Sequence, residues 1–146
     1  MENTNTQPMI NLVKKLFTEV FTKGNISVSD ELVDTNVKLH DPATRNGHGL
    51  ASFKDTENTY KRAFPTKKLT IEDIFAAGDK VIVRWTCQAT QSGPLQDISA
   101  SNKKINISGI SVYRISNNKI VEIWQSWDRL GLLEQIGEIQ PALALH

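Results

Sequence analysis

The residues best suited to acid–base chemistry lie on one stretch, Lys119-Ile120-Val121-Glu122-Ile123-Trp124-Gln125-Ser126-Trp127-Asp128. β-branched and aromatic residues dominate it, and the turn-like Ser116-Asn117-Asn118 precedes it, so it reads as a β-strand. Strand side chains alternate faces. Strict alternation puts Ile120, Glu122, Trp124, Ser126 and Asp128 on one face, and Val121, Ile123, Gln125 and Trp127 on the other. Two carboxylates and a serine around a large indole are unusual on a covered face, where polar groups need partners or a task. The expectation is a pocket with Trp124 as wall and Asp128 at its deep end. A carboxylate desolvated beside an indole becomes a stronger base, able to take a proton from a carbon next to a carbonyl. Asp128 has a second reading, as the cap of a helical segment starting near Leu130.

Other candidates extend this chemistry. His40, at the end of a short strand and before Asp41-Pro42, could polarise a carbonyl or relay a proton, or simply sit in a turn. His40 and Asp41 point to opposite sides of that strand. Arg84 could clamp an anion or enolate, or pair with Glu122 or Asp73. The three histidines are spread without a ligand spacing, so no metal site is expected. Cys87 is the sole cysteine, which excludes an intramolecular disulfide and a cysteine cluster within the chain; its apolar strand face suits packing. There is no phosphate-cradling glycine loop and no nucleophile elbow.

The elements that must position these residues follow from periodicity. Met9, Leu12, Val13, Leu16, Phe17, Val20 and Phe21 form one apolar stripe, predicting a helix from about Pro8 to Lys23, closed by Gly24. A short helix around 29–33, a short strand around 37–41 and a helix around 50–63 follow. Phe53 and Tyr60 are inward anchors of that third helix and, by position, candidates to touch a ligand. Arg45-Asn46-Gly47-His48-Gly49 is a glycine-punctuated turn. Strands are predicted over 69–77, 80–90, 104–115 and 119–128, with a polar loop over 91–102 and a short helical segment over 130–136. Helices followed by hairpin-linked strands argue for an α+β fold, a curved antiparallel sheet covered by N-terminal helices. The expected inner face holds Arg84 together with the Glu122, Trp124 and Asp128 row, Glu122 lying at the rim or against Arg84. The expected organisation is a flexible tail at 1–7, one domain at 8–137 and a C-terminal tail at 138–146.

At 146 residues, 39% hydrophobic and 23% charged, the chain suits a single globular domain. A net charge of +1 gives no footprint for nucleic acid or an anionic membrane. No signal-peptide shape and no membrane-length apolar run are present, so a cytoplasmic protein is the expectation.

In order and spacing, several stretches resemble the SnoaL-like polyketide cyclase (ester cyclase) family of the NTF2-like superfamily. They are His40-Asp41-Pro42 with the Gly47–Phe53 segment, Ala63-Phe64-Pro65, Ile71-Glu72-Asp73 through Thr86, and Gly109 through Arg114 joined to Lys119–Trp124, Asp128 and Gly131–Gly137. The resemblance implies a cone-shaped α+β barrel with an apolar pocket, a homodimer packed through the sheet, and no metal or organic cofactor. The implied reaction is an intramolecular aldol condensation, with Asp128 as the general acid/base assisted by histidine, and His40 lining the pocket. The sequence departs from the family where Gln91 stands in Ala89-Thr90-Gln91-Ser92-Gly93, at a position usually held by histidine. Glutamine does not titrate but can still polarise a carbonyl. The expected site is therefore Asp128 and His40 as catalytic residues, with Trp124, Arg84, Gln91, Tyr60 and Phe53 binding an apolar small molecule. The expected function is cyclase-type or related isomerising or hydrolytic chemistry; the alternative is a non-catalytic ligand-binding domain on the same fold.

Overall fold

The computed structural model describes residues 5–43 and 47–140. Arg45 and Asn46 of the glycine-rich turn, residues 1–4 of the expected N-terminal tail and residues 141–146, including His146, lie outside the described residues.

The first helix, α1 (Gln7–Lys15), has Pro8 in its first turn, where a missing N–H costs nothing. It continues directly into a π-helical stretch, Leu16–Thr22. Val13, Leu16, Phe17, Val20 and Phe21 of the predicted stripe are all buried, and Gly24, at φ +75°, ends the element. A single 3-10 turn (Ile26–Val28) leads to α2 (Ser29–Leu32) and then β1 (Val33–His40), which starts four residues before the strand predicted from sequence. After it come α3 (Leu50–Ala63), β2 (Lys68–Ala77), β3 (Lys80–Thr90), β4 (Lys104–Ser116), β5 (Lys119–Trp127) and α4 (Arg129–Gln135). The five strands form one sheet in the order β1-β5-β4-β3-β2; β1 runs parallel to β5 and the other pairs are antiparallel. The sheet is unclosed, with β1 and β2 as its edges. This is the α+β architecture expected from the helix-then-strand order. No helix among the described residues is long and apolar enough to cross a membrane.

Which face the helices cover departs from expectation. The buried row is Val81, Val83, Trp85, Cys87 and Ala89 of β3 with Ile105, Ile107, Ser111, Tyr113 and Ile115 of β4. The stripe of α1 and its π-helical continuation packs on this side, with Phe17 edge-on to Tyr113 at 6.1 Å between ring centroids. Arg84, Glu122 and Trp124 do share a face, as predicted, but it is the outer one. The reason is energetic: sealing a nearly unbroken apolar row stabilises by roughly 25 cal/mol per Å², whereas sealing the Arg84 and Glu122 row would desolvate charges.

A β-bulge completes the sorting. Arg114 pairs with Glu122 while Ile115 pairs with Ile120, so β5 carries one extra residue there. One extra residue flips the parity of everything beyond it. Ile120 and Ile123 are consequently both buried, although strict alternation separates them. Beyond the bulge, Ile123, Gln125 and Trp127 face the helices.

Candidate functional site

Between the inner face of the sheet and α3 lies a cavity of about 90 Å³. Phe21, Phe64, Leu69, Trp85, Ile105, Ile107 and Leu132 form its apolar wall. Asp41, Glu57, Tyr60, Lys67 and Gln125 supply its polar groups, and Trp127 and Cys87 complete it.

Asp41 immediately follows β1, where alternation sends His40 outward and Asp41 in. Its carboxylate is held by converging donors. The Ala43 backbone N–H donates to Oδ1 at 2.7 Å, Trp127 Nε1 donates to Oδ1 at 3.2 Å, and Gln125 Nε2 donates to Oδ2 at 3.0 Å. The orientation of Gln125 follows from a chain of bonds across the sheet. Trp85 Nε1, a donor only, gives its hydrogen to Ser111 Oγ at 2.9 Å. Ser111 then donates to Gln125 Oε1 at 3.2 Å, which leaves the amide nitrogen to face Asp41. Every hydrogen in the chain points toward Asp41, so the inner face of the sheet is polarised to hold an acceptor there.

Gly109 makes this geometry possible. It pairs with Trp85 on one side and Trp127 on the other. A Cβ at 109 would overlap the Trp85 indole and crowd Trp127 Cβ. A glycine in mid-strand is the sequence mark of such a close approach.

Opposite the sheet, α3 presents Glu57, whose side chain is 8% exposed, and Tyr60. Burial pushes the Glu57 carboxyl above the usual carboxylate range, opposed by the Lys67 ammonium 3.4 Å from Oε2. Lys67 Nζ also lies 5.9 Å from the ring centroids of both Phe21 and Tyr60. Burial pushes the Tyr60 phenol up, so it stays a hydroxyl, and raises the Cys87 thiol to about 11, which keeps it from acting as a thiolate. Tyr60 meets Trp127 edge-on at 6.1 Å.

The residues expected at the site are dispersed. Asp128 caps α4: its Oδ1 accepts the Gly131 backbone N–H at 2.8 Å, and the residue is exposed. A Cβ at Gly131 would collide with that carboxylate. The capping reading of Asp128 thus describes its geometry, and the deep-pocket placement is corrected. Trp124 stacks on the His40 ring on the outer face, with centroids 5.3 Å apart and planes within 10°. His40 Nε2 lies 2.8 Å from Glu122 Oε2, and Arg114 donates to Glu122 Oε1 at 3.0 and 3.1 Å. Glu122 titrates below the usual range, chiefly through the His40 hydrogen bond and then through Arg114. Arg84 Nε donates to Asp73 Oδ2 at 2.8 Å on the exposed outer face, the pairing with Asp73 that its position allowed. Gln91 is fully buried but spends its amide on its own loop: Nε2 donates to the Ser99 carbonyl at 3.2 Å and Oε1 accepts from the Ser101 N–H at 3.1 Å. Phe53 is a core residue, 6.2 Å from the Phe21 ring, and lies outside the cavity lining. Of the expected set only Tyr60 lines the cavity.

Sequence reasoning did not single out Asp41, Glu57, Lys67, Gln125 and Trp127, which line this cavity. Two signals could have found part of the set: the in/out split of His40 and Asp41, and a glycine in the middle of β4. Among the described residues no group of His, Cys, Asp and Glu is clustered as a metal site requires.

Comparisons with known proteins agree with this architecture. The SnoaL-like polyketide cyclase profile matches residues 11–136. A structure from Acidithiobacillus ferrooxidans, provisionally assigned as a polyketide cyclase, is similar at 29% identity and TM-score 0.80, covering 93% of this chain and 97% of that one. A SnoaL-like protein from Jannaschia sp. CCS1 matches in fold at 18% identity and TM-score 0.84, covering 97% and 98%. AclR from Streptomyces galilaeus, provisionally assigned as a hydroxylase, matches in fold at 17% identity and TM-score 0.82, covering 96% and 87%. No curated protein matches the chain. With the matching profile spanning the helices, the sheet and the cavity between them, the chain belongs to the SnoaL-like polyketide cyclase family.

Proposed function

We propose that the protein is an enzyme of acid–base type acting on a small apolar carbonyl compound in the inner cavity, with Asp41 as base and Glu57 as acid. One observation carries this reading. Two carboxyl groups line the same apolar cavity in opposite environments, Asp41 facing three donors and Glu57 desolvated by burial. Such a division of environments is how one site comes to hold a proton acceptor and a proton donor together. Asp41 takes the proton from the carbon beside the carbonyl. The oxygen, as charge develops on it, is met by the Glu57 carboxyl and by the Tyr60 hydroxyl. The enol formed this way serves aldol ring closure and double-bond isomerisation alike. Size supports a modest substrate: an engineered protein cavity of about 150 Å³ takes up benzene, and this one is about 90 Å³.

The direct test is exchange of ketone α-protons for deuterium, followed by NMR with cyclopentanone as substrate. The expected outcome is exchange that saturates with ketone and drops about a thousandfold in Asp41→Asn. Exchange no faster than in buffer removes the assignment.

The outer face supports a homodimer. Phe75, Ile82, Val112, Trp124 and His40 stand in register across all five strands, and Phe75 is 54% exposed. Two copies related by a two-fold axis could lay these rows on one another. Sedimentation at micromolar concentration is expected to give a dimer that Val112→Glu converts to monomer; a wild-type monomer refutes it.

A further inference from the structure

Lys67 has no part in the reaction above beyond its contact with Glu57, yet its position is unusual. Lysine is among the residues least often buried. Here the side chain is 11% exposed and reaches the wall of the cavity, between the Phe21 and Tyr60 rings and beside the Glu57 carboxyl. An amine in an apolar cavity and a carboxyl group close enough to carry its protons are what condensing an amine with a carbonyl requires.

We propose that Lys67 forms an imine with a small aldehyde or ketone in this cavity, with Glu57 carrying the protons. This rests on the reading of the cavity as a carbonyl site. Imine formation starts from the Glu57 carboxylate, the opposite protonation state from the one that acts as acid above, and this carboxylate takes one proton from the ammonium. The freed Nζ lone pair attacks the carbonyl carbon; the C–N bond forms as the C=O π bond opens, and a second nitrogen proton moves to the oxygen, giving a carbinolamine. Glu57 returns its proton to that hydroxyl, the C–O bond breaks, water leaves, and the nitrogen lone pair closes the C=N bond. Of the three ammonium protons, two depart in water and one stays on the iminium nitrogen, with the Glu57 carboxylate restored beside it. No oxidant or reductant takes part.

The experiment uses the full chain with cyclopentanone and sodium cyanoborohydride, which reduces an iminium to a stable secondary amine. Intact mass and peptide mapping are expected to find one dominant adduct, heavier by the ketone less one oxygen atom, on Lys67. Its occupancy should exceed that of any other lysine by about tenfold or more. The adduct should vanish in Lys67→Arg, which retains a cation against Glu57 but no nucleophilic amine, and form about tenfold more slowly in Glu57→Gln. If Lys67→Arg does not fold, site occupancy in the wild-type protein decides alone. No adduct, or labelling spread evenly over surface lysines, overturns the imine. Deuterium exchange of the same ketone, without hydride, separates the two claims. Exchange with no Lys67 adduct overturns the imine and leaves the Asp41–Glu57 reading standing, and an adduct without exchange does the reverse.

Discussion

The two faces of the sheet carry the same kinds of residue and treat them in opposite ways. Outside, Trp124 stacks on His40, and Glu122 is met by His40 and Arg114. Inside, Trp127 donates to Asp41, and Glu57 sits desolvated beside Lys67. In the outer cluster each carboxylate oxygen of Glu122 has its own nitrogen partner, His40 Nε2 on Oε2 and the Arg114 guanidinium on Oε1. The inner groups are largely shielded from water, so each charge is sensitive to its surroundings. An indole beside a carboxylate is therefore no mark of a covered face. What separates the faces is which one the helices cover, and that follows from the apolar rows of β3 and β4.

The sharpest way to break the comparison is to remove one carboxylate from each face. Asp41→Asn should lower ketone exchange by about a thousandfold, while Glu122→Gln on the outer face should leave it unchanged. Equal losses would mean that the faces are not functionally distinct. A second test fills the close approach on the inner face. Gly109→Val should force the Trp85 and Trp127 indoles apart and destabilise by about 1–3 kcal/mol, read by urea denaturation, with loss of ketone exchange. The outward neighbour on β4, Ile110, is 51% exposed, and Ile110→Val should fall within about 0.5 kcal/mol of wild type.

Asp128 provides a milder test. As a cap it should cost about 1 kcal/mol when replaced by alanine, and exchange should persist in Asp128→Asn. A loss of exchange as large as that of Asp41→Asn would return Asp128 to the chemistry. The finest distinction is one of sign with pH. The Glu57 carboxyl is raised above its ordinary value of 4.5 in the folded state, so its contribution is fully present below 4.5 and is lost as pH rises through the raised value. Glu122 is lowered from 4.5, so its contribution is present above 4.5 and is lost as pH falls through the lowered value. Stability differences between wild type and Glu57→Gln, and between wild type and Glu122→Gln, should therefore slope in opposite directions with pH, on opposite sides of 4.5. Parallel slopes in denaturation midpoints would show that the two carboxylates share one environment.

Much of the fold could be read from the residues. The stripe from Val13 to Phe21 and the hairpin-linked strands survive in the structure, because each is a local pattern with a local cause. The site was much less legible. Period-two reasoning placed Ile120 with Glu122 and Trp124, and the bulge between Arg114 and Ile115 cancelled that count within one residue. Gln91 ties down with its amide the loop that follows β3, through bonds set by where residues 99–101 return. Phe53 was correctly inward but went to the core, because inward on α3 covers both core and cavity.

By itself the sequence determined the elements, their order, the α+β class and the family, all of which rest on periodicity and on motifs spaced along the chain. It also determined that His40 and Asp41 must part company, since neighbours on a strand cannot share a face. Only the tertiary structure decided which of them faces the cavity. That choice depends on where the helices lie, and they lie on the face whose burial removes the most apolar surface from water at the least cost in desolvated charge. Convergence of Trp85, Ser111, Gln125 and Trp127 on Asp41 is likewise a property of strand register, because it joins residues from three strands to the end of a fourth.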